Sequence, residues 1–193
     1  LGNTDYTAIR QCVDEHIART GRAPVVFIDY LQILKSPDVR MNDKQAVDAN
    51  VIQLKLLSRD FGIPVVAISS FNRDNYVNPV SYASFKESGA IEYSSDVLIG
   101  LQYKGLDWID NEGDKTRRRR LADERKEREE NISKGGYAEI QLKVLKNRNG
   151  GKGEALFRYY PMFNYFEETI AKDVFEQPTT ASSLMSAYLK DRK

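Results

Sequence analysis

Two short runs, "VVFID" at residues 25–29 and "IPVVAISS" at residues 63–70, flank the helix-forming stretch "NDKQAVDANVIQLKLLSRDFG". Each run is too short and too β-branched for a helix and reads as a buried strand. Ala46, Ala49, Ile52, Leu54 and Leu57 mark the apolar side of the helix between them, and Gly62 stops it. Strand, helix, strand with short connections implies parallel pairing, a right-handed crossover and helices over both sheet faces. The expected class is α/β, a mostly parallel sheet flanked by helices.

The remaining elements are built around that unit. "TDYTAIRQCVDEHIART" places Ile9, Val13 and Ile17 four apart on one helix face, with Thr4 or Asp5 as its cap. "SDVLIGLQY" reads as a third strand. Before it, "FNRDNYVNPVSYASFKESGAIEYS" reads as a long surface loop ending in a short helix near residues 84–91. "AEIQLKVLKNRNGGKGEALFRYYPMFNYFEE" alternates polar and apolar around a Gly-rich turn at residues 149–153. That predicts an antiparallel hairpin on the sheet edge, with a third short strand at residues 164–167. Residues 1–166 form the expected domain. Its charged insertion, 104–136, has almost no apolar face and reads as a solvated helix or a disordered arm. The tail, 167–193, contains a weak final helix.

Composition removes several function classes. One cysteine, Cys12, allows no intrachain disulfide, and a reducing, cytoplasmic setting fits. One cysteine and one histidine exclude a structural zinc site. A nucleophilic triad would need His16, which sits in the first helical pattern. No apolar run is long enough to span a membrane, and the first residues do not form a secretory signal. A net charge of +1 favours neither presence nor absence of nucleic acid, although "TRRRR" at residues 116–120 is locally basic.

Asp29 ends the first strand. In an open parallel sheet the strands' carboxyl ends face the ligand crevice. An aspartate there is either a turn or cap residue, or the Mg²⁺-associated acid of a phosphate-binding site. The second reading demands a cradle, G-x-x-x-x-G-K-[ST], and none is present. The nearest approach, Gly151–Lys152–Gly153, lies in the hairpin turn. The cradle is expected upstream of Leu1 or on another chain.

Four stretches in order resemble one family, the C-terminal RecA-like motor domain of DnaB-type replicative helicases. "IDYLQIL" is similar to its acidic strand and "IPVVAISSFNR" to its next strand and sensor. "FKESGAIEYSSDVLIGL" is similar to its DNA-binding loop and following strand, and "LKVLKNRNGGKGEALFRYYPMFNYF" to its terminal hairpin. The resemblance implies ATP and Mg²⁺ as cofactors, with Asp29 as the metal-associated residue. It implies that Lys146 and Arg148, in the K-x-R element, reach the γ-phosphate held by a neighbouring subunit. Lys86, Glu87 and Gly89 would grip a DNA phosphate, and Arg73 would belong to the sensor and DNA path. Implied partners are single-stranded DNA, further copies in a hexameric ring, and a helicase loader or primase. No membrane is implied.

Three departures stand out. Ser70 occupies the place where the family sensor usually has glutamine, so its reach to a γ-phosphate is shorter. The charged insertion is longer than in most members, and nothing matches the family's catalytic glutamate. Without a cradle this chain alone is expected to be inactive. The competing readings are a non-catalytic RecA-like module that binds DNA or a partner, and a recombination-type RecA-like ATPase.

Overall fold

The computed structural model describes residues 4–71, 76–85 and 89–169. The chain divides into two compact units, Leu1–Tyr76 with Tyr82–Ser95, and Val77–Ser81 with Asp96–Lys193.

In the first unit, helix α1 (Tyr6–Thr20) starts at Asp5, whose Oδ1 accepts from the Ala8 N–H at 2.9 Å. It ends at Gly21, in the left-handed region at φ 66°. Ile9 and Val13 are buried, and Ile17 is half-buried. Strand β1 (Val26–Ile28) pairs in parallel with β2 (Val65–Ala67), Val26 opposite Val65 and Ile28 opposite Ala67. Helix α2 (Asp43–Phe61) runs between them in sequence, as expected of a crossover. A capping box of Asn42 and Gln45 starts it, and Gly62 at φ 61° ends it.

Two expectations for this unit are corrected. The buried side of α2 is Val47, Asn50, Leu54 and Leu57, whereas Ile52 is 49% exposed. The face is phased by Val47 and Asn50 rather than by Ala46 and Ala49. Asn50 is half satisfied inside: its amide N–H donates to the Lys35 carbonyl at 3.3 Å, while its buried Oδ1 has no hydrogen-bond partner among the described residues. The two strands are also not covered on both faces. Phe27 is 73% exposed, and Val25, Val66 and Ile68 are exposed too. Side chains alternate across a strand, so a helix on one face leaves the other row bare.

The expected helix near 84–91 is two pieces, a 3-10 turn at Tyr82–Phe85 and helix α3 (Gly89–Ser94). Phe85 packs edge-on against Phe71, with ring centroids 5.0 Å apart.

The second unit holds a four-stranded antiparallel sheet in the order β3 (Val97–Tyr103), β4 (Ala138–Asn147), β5 (Glu154–Tyr160), β6 (Tyr165–Thr169). "SDVLIGLQY" is the third strand expected, and it joins the antiparallel sheet. Among the described residues β3 pairs only with β4, in an antiparallel register from Val97 opposite Asn147 to Tyr103 opposite Ile140. Its strict alternation, with Leu98, Gly100 and Gln102 buried and their neighbours exposed, suits a sheet with one covered face. The hairpin turn falls where expected, between Asn147 and Glu154, and β6 matches the third short strand within a few residues. Gly100 is needed at its position, because a Cβ there would collide with Val80. Gln102 accepts from the Val80 N–H and donates to Gln141, both at 2.7 Å, so this buried amide pair is satisfied.

The charged insertion forms helix α4 (Asp114–Ser133), in which only Arg117 is buried. Its exposed face is held by i,i+4 pairs such as Arg125–Glu129 at 2.8 Å. Two arginines of "TRRRR" work inside the fold. The Arg117 guanidinium donates to the carbonyls of Val77, Leu106 and Asp107 and lies 3.7 Å from the centre of the Trp108 ring. Arg120 donates to Glu112 at 2.7 and 2.8 Å and to the Gly105 carbonyl. Arg118 and Arg119 are exposed. No described helix is long and apolar enough to cross a membrane. The weak final helix expected in the tail lies outside the described residues.

Candidate nucleotide and DNA site

Asp29 follows β1 directly, at the carboxyl end of a strand in a parallel pair. Its side chain is exposed, and the Asp29–Tyr30 peptide is cis. No hydrogen bond or ion pair to a described residue engages the carboxylate. Magnesium keeps several waters and often takes only one or two carboxylates, so a lone, solvated aspartate fits it. Among the described residues no cluster of three or more His, Cys, Asp or Glu could hold a metal by itself. A metal here would rest on Asp29, on water and on the phosphates it accompanies.

The segment after Asp29 ties the two strand ends together. The Leu31 N–H donates to the Ile68 carbonyl at 2.8 Å, and the Ile68 N–H donates to the Ile28 carbonyl at 2.9 Å. Gln32 then spans to the residues after β2. Its Nε2 donates to Ser69 Oγ at 2.9 Å, and its Oε1 accepts a longer bond from the Ser70 N–H at 3.4 Å. Ser70 itself is exposed, so the acidic strand and the serine segment are linked through Gln32. Sequence reasoning missed Gln32 as the residue that bridges the two strand ends. Its signal was a lone amide within the apolar "IDYLQIL".

Gly89 opens α3, and the next residue's N–H, that of Ala90, donates to Asp48 Oδ1 of α2 at 3.2 Å. That bond pins the carboxyl side of "KESG" to a long helix. Asp48 was also missed. Lys86, Glu87 and Arg73 lie outside the described residues.

Lys146 and Arg148 belong to the second unit. Lys146 is half-buried near the end of β4, opposite Leu98, and Arg148 follows the strand in the turn. Val144 stands opposite Ile99, so Leu145 is an extra residue in the ladder, a β-bulge just before Lys146. The Arg148 guanidinium meets Asp96 Oδ1 at 3.0 Å, and its N–H donates to the Asp96 carbonyl at 2.8 Å. Of the expected site residues, the structure thus links Asp29 and Ser70 through Gln32 in one unit, and carries Lys146 and Arg148 on one strand end in the other.

The family model for the DnaB-like helicase C terminal domain matches residues 2–168. The replicative DNA helicase DnaB of Helicobacter pylori is 29% identical over 180 residues, covering 81% of this chain and 37% of that protein. Its counterpart in Haemophilus influenzae is 26% identical over 165 residues, covering 83% of this chain and 30% of that protein. A solved DnaB-like replicative helicase, described with its interactions with primase, shares the fold at a TM-score of 0.64 and 19% identity. The match covers 85% of this chain and 35% of that one. A solved ATPase domain matches at a TM-score of 0.65 and 19% identity, over 86% of this chain and 52% of that one. This chain spans roughly a third of the length of those curated relatives. With the family model matched across nearly all the described residues, the chain belongs to the DnaB-like helicase C-terminal domain family.

Proposed function

We propose that this chain is the C-terminal part of an ATP- and Mg²⁺-dependent replicative DNA helicase, acting in the cytoplasm as a hexameric ring on single-stranded DNA. The observation that carries the reading is Asp29, exposed at the carboxyl end of a parallel strand and without a hydrogen bond or ion pair to any described residue, in a chain of this family.

Asp29 would hold the metal. Magnesium, when bound with ATP, would supply positive charge that offsets the charge of the phosphates. Lys146 and Arg148 approach the triphosphate of the next subunit. A lysine supplies a point charge and an arginine a planar fork, and both stabilise charge that grows on the transferred group. Because they arrive in trans, hydrolysis depends on contact between subunits. Ser70 and Gln32 carry the nucleotide state from the acidic strand toward the loop of Lys86, Glu87 and Gly89, with Arg73 on that path. Lysine charge and main-chain N–H groups hold a phosphate without reading a base, which suits movement along any sequence. A loader or primase is a further partner of the ring. The chain by itself, lacking a cradle, hydrolyses nothing.

The test uses the full-length protein. Phosphate release stimulated by single-stranded DNA is expected, abolished by Asp29→Ala and lowered by Arg148→Ala. This chain alone, given ATP and Mg²⁺, is expected to release no phosphate above background. Unchanged hydrolysis in full-length Asp29→Ala overturns the proposal.

A further inference from the structure

We propose that Asp96 is a positioning residue, holding Arg148 in the orientation in which it meets the neighbouring subunit's nucleotide. The inference rests on the trans role of Arg148 given above.

Arg148 stands just past β4, where a long side chain is free to sample many rotamers. Here two contacts to one residue restrain it. Its main-chain N–H is tied to the Asp96 carbonyl at 2.8 Å, and its Nη1 to the Asp96 carboxylate at 3.0 Å. The backbone bond fixes where the side chain starts, and the ion pair fixes which way it leaves. Both side chains are about half exposed, 51% for Arg148 and 48% for Asp96. A pair so open to water adds little to stability, so holding the fold together does not account for it. An arginine carries five N–H donors, and the side-chain contact uses one nitrogen of the fork. The rest of the fork stays suited to a phosphate.

The bulge points the same way. Leu145 interrupts the two-residue alternation of β4 immediately before Lys146, and bulges re-aim the side chains that follow them. Asp96 sits directly before β3, the strand against which the bulge forms, so one strand end supplies both the partner of the bulge and the clamp on Arg148.

The geometry predicts a specific kinetic pattern in the full-length protein with single-stranded DNA. Arg148→Ala is measured first. Asp96→Ala is expected to lower kcat for ATP hydrolysis at least about tenfold, with KM for ATP within about twofold, because a misaimed group is lost chiefly in the transition state. The double variant Asp96→Ala/Arg148→Ala is expected to be no slower than Arg148→Ala. Asp96→Glu is expected to recover part of the rate. Mixing Asp96→Ala protomers with Asp29→Ala protomers is expected to give more activity than either alone, because an intact Arg148 then serves an intact neighbouring site. Should Asp96→Ala not assemble, Asp96→Asn carries the same comparisons. An Arg148→Ala defect with normal Asp96 variants, or additive losses in the double variant, overturns this inference and leaves the proposed function standing. Normal hydrolysis in Arg148→Ala overturns the trans role itself.

Discussion

Gln32 reaches from the end of one parallel strand to Ser69 beyond the end of the other, its Nε2 donating to the Ser69 hydroxyl at 2.9 Å. With the bond from the Ser70 N–H, it is a side-chain strut between Asp29's segment and the serines. Each such bond is worth about 1 kcal/mol net, or roughly fivefold in an equilibrium. Gln32→Ala in the full-length protein is therefore expected to leave hydrolysis without DNA near its normal rate. Its stimulation by single-stranded DNA should fall about fivefold or more. Phosphate release measured with and without DNA checks this, and an equal loss in both would show that Gln32 serves only the fold.

Asp29 is exposed and makes no hydrogen bond or ion pair to a described residue. Asp29→Ala is expected to shift unfolding free energy by no more than about 0.5 kcal/mol, as for other exposed positions. The same variant is expected to abolish Mg²⁺-dependent hydrolysis. Denaturant unfolding and phosphate release on one preparation separate the two effects.

Arg117 and Arg118 are adjacent in sequence and opposite in consequence. Arg117→Ala strips three carbonyls of a charged donor and removes the stack on Trp108, at an expected cost of about 3 kcal/mol. Arg118 is exposed, and Arg118→Ala is expected to stay within about 0.5 kcal/mol of the parent. Urea midpoints for the two variants test the contrast.

Acid should weaken the second unit through Asp107. Burial pushes its carboxyl up, but the hydrogen bond and charge of Lys143, with the amides of Gln102 and Gln141, outweigh that and hold it below the ordinary range. A carboxyl depressed on folding adds stability above its unfolded value, near pH 4, and loses it as pH falls through the lower folded value. The stability difference between the parent and Asp107→Asn is thus expected to be full at neutral pH and to shrink below about pH 4. Thermal melts across that interval report it, and a difference that grows in acid would contradict the assignment.

The elements written in local pattern were legible in the sequence. β-Branched runs marked β1 and β2, Gly62 marked the end of α2, and the Gly-rich turn marked the β4–β5 hairpin. What local pattern could not show was partnership. "SDVLIGLQY" looks the same whether it joins a parallel pair or an antiparallel sheet, and only its register with β4 decides. Asn50 and Arg117 were hidden for a related reason, since a polar residue is buried only when distant carbonyls happen to meet it. At the site, Asp29 was visible because a charge at a strand end is conspicuous. Gln32 and Asp96 were not, because each meets a partner far along the chain.

The chain has one tryptophan, and it is the ring beneath Arg117 at the foot of α4. Tryptophan emission, excited selectively beyond the absorption of the tyrosines, therefore reports on that single corner. Anything that pulls the charged helix away from its base, whether a bound partner, salt or acid, would lift the guanidinium off the indole. The emission would change without any dye being attached.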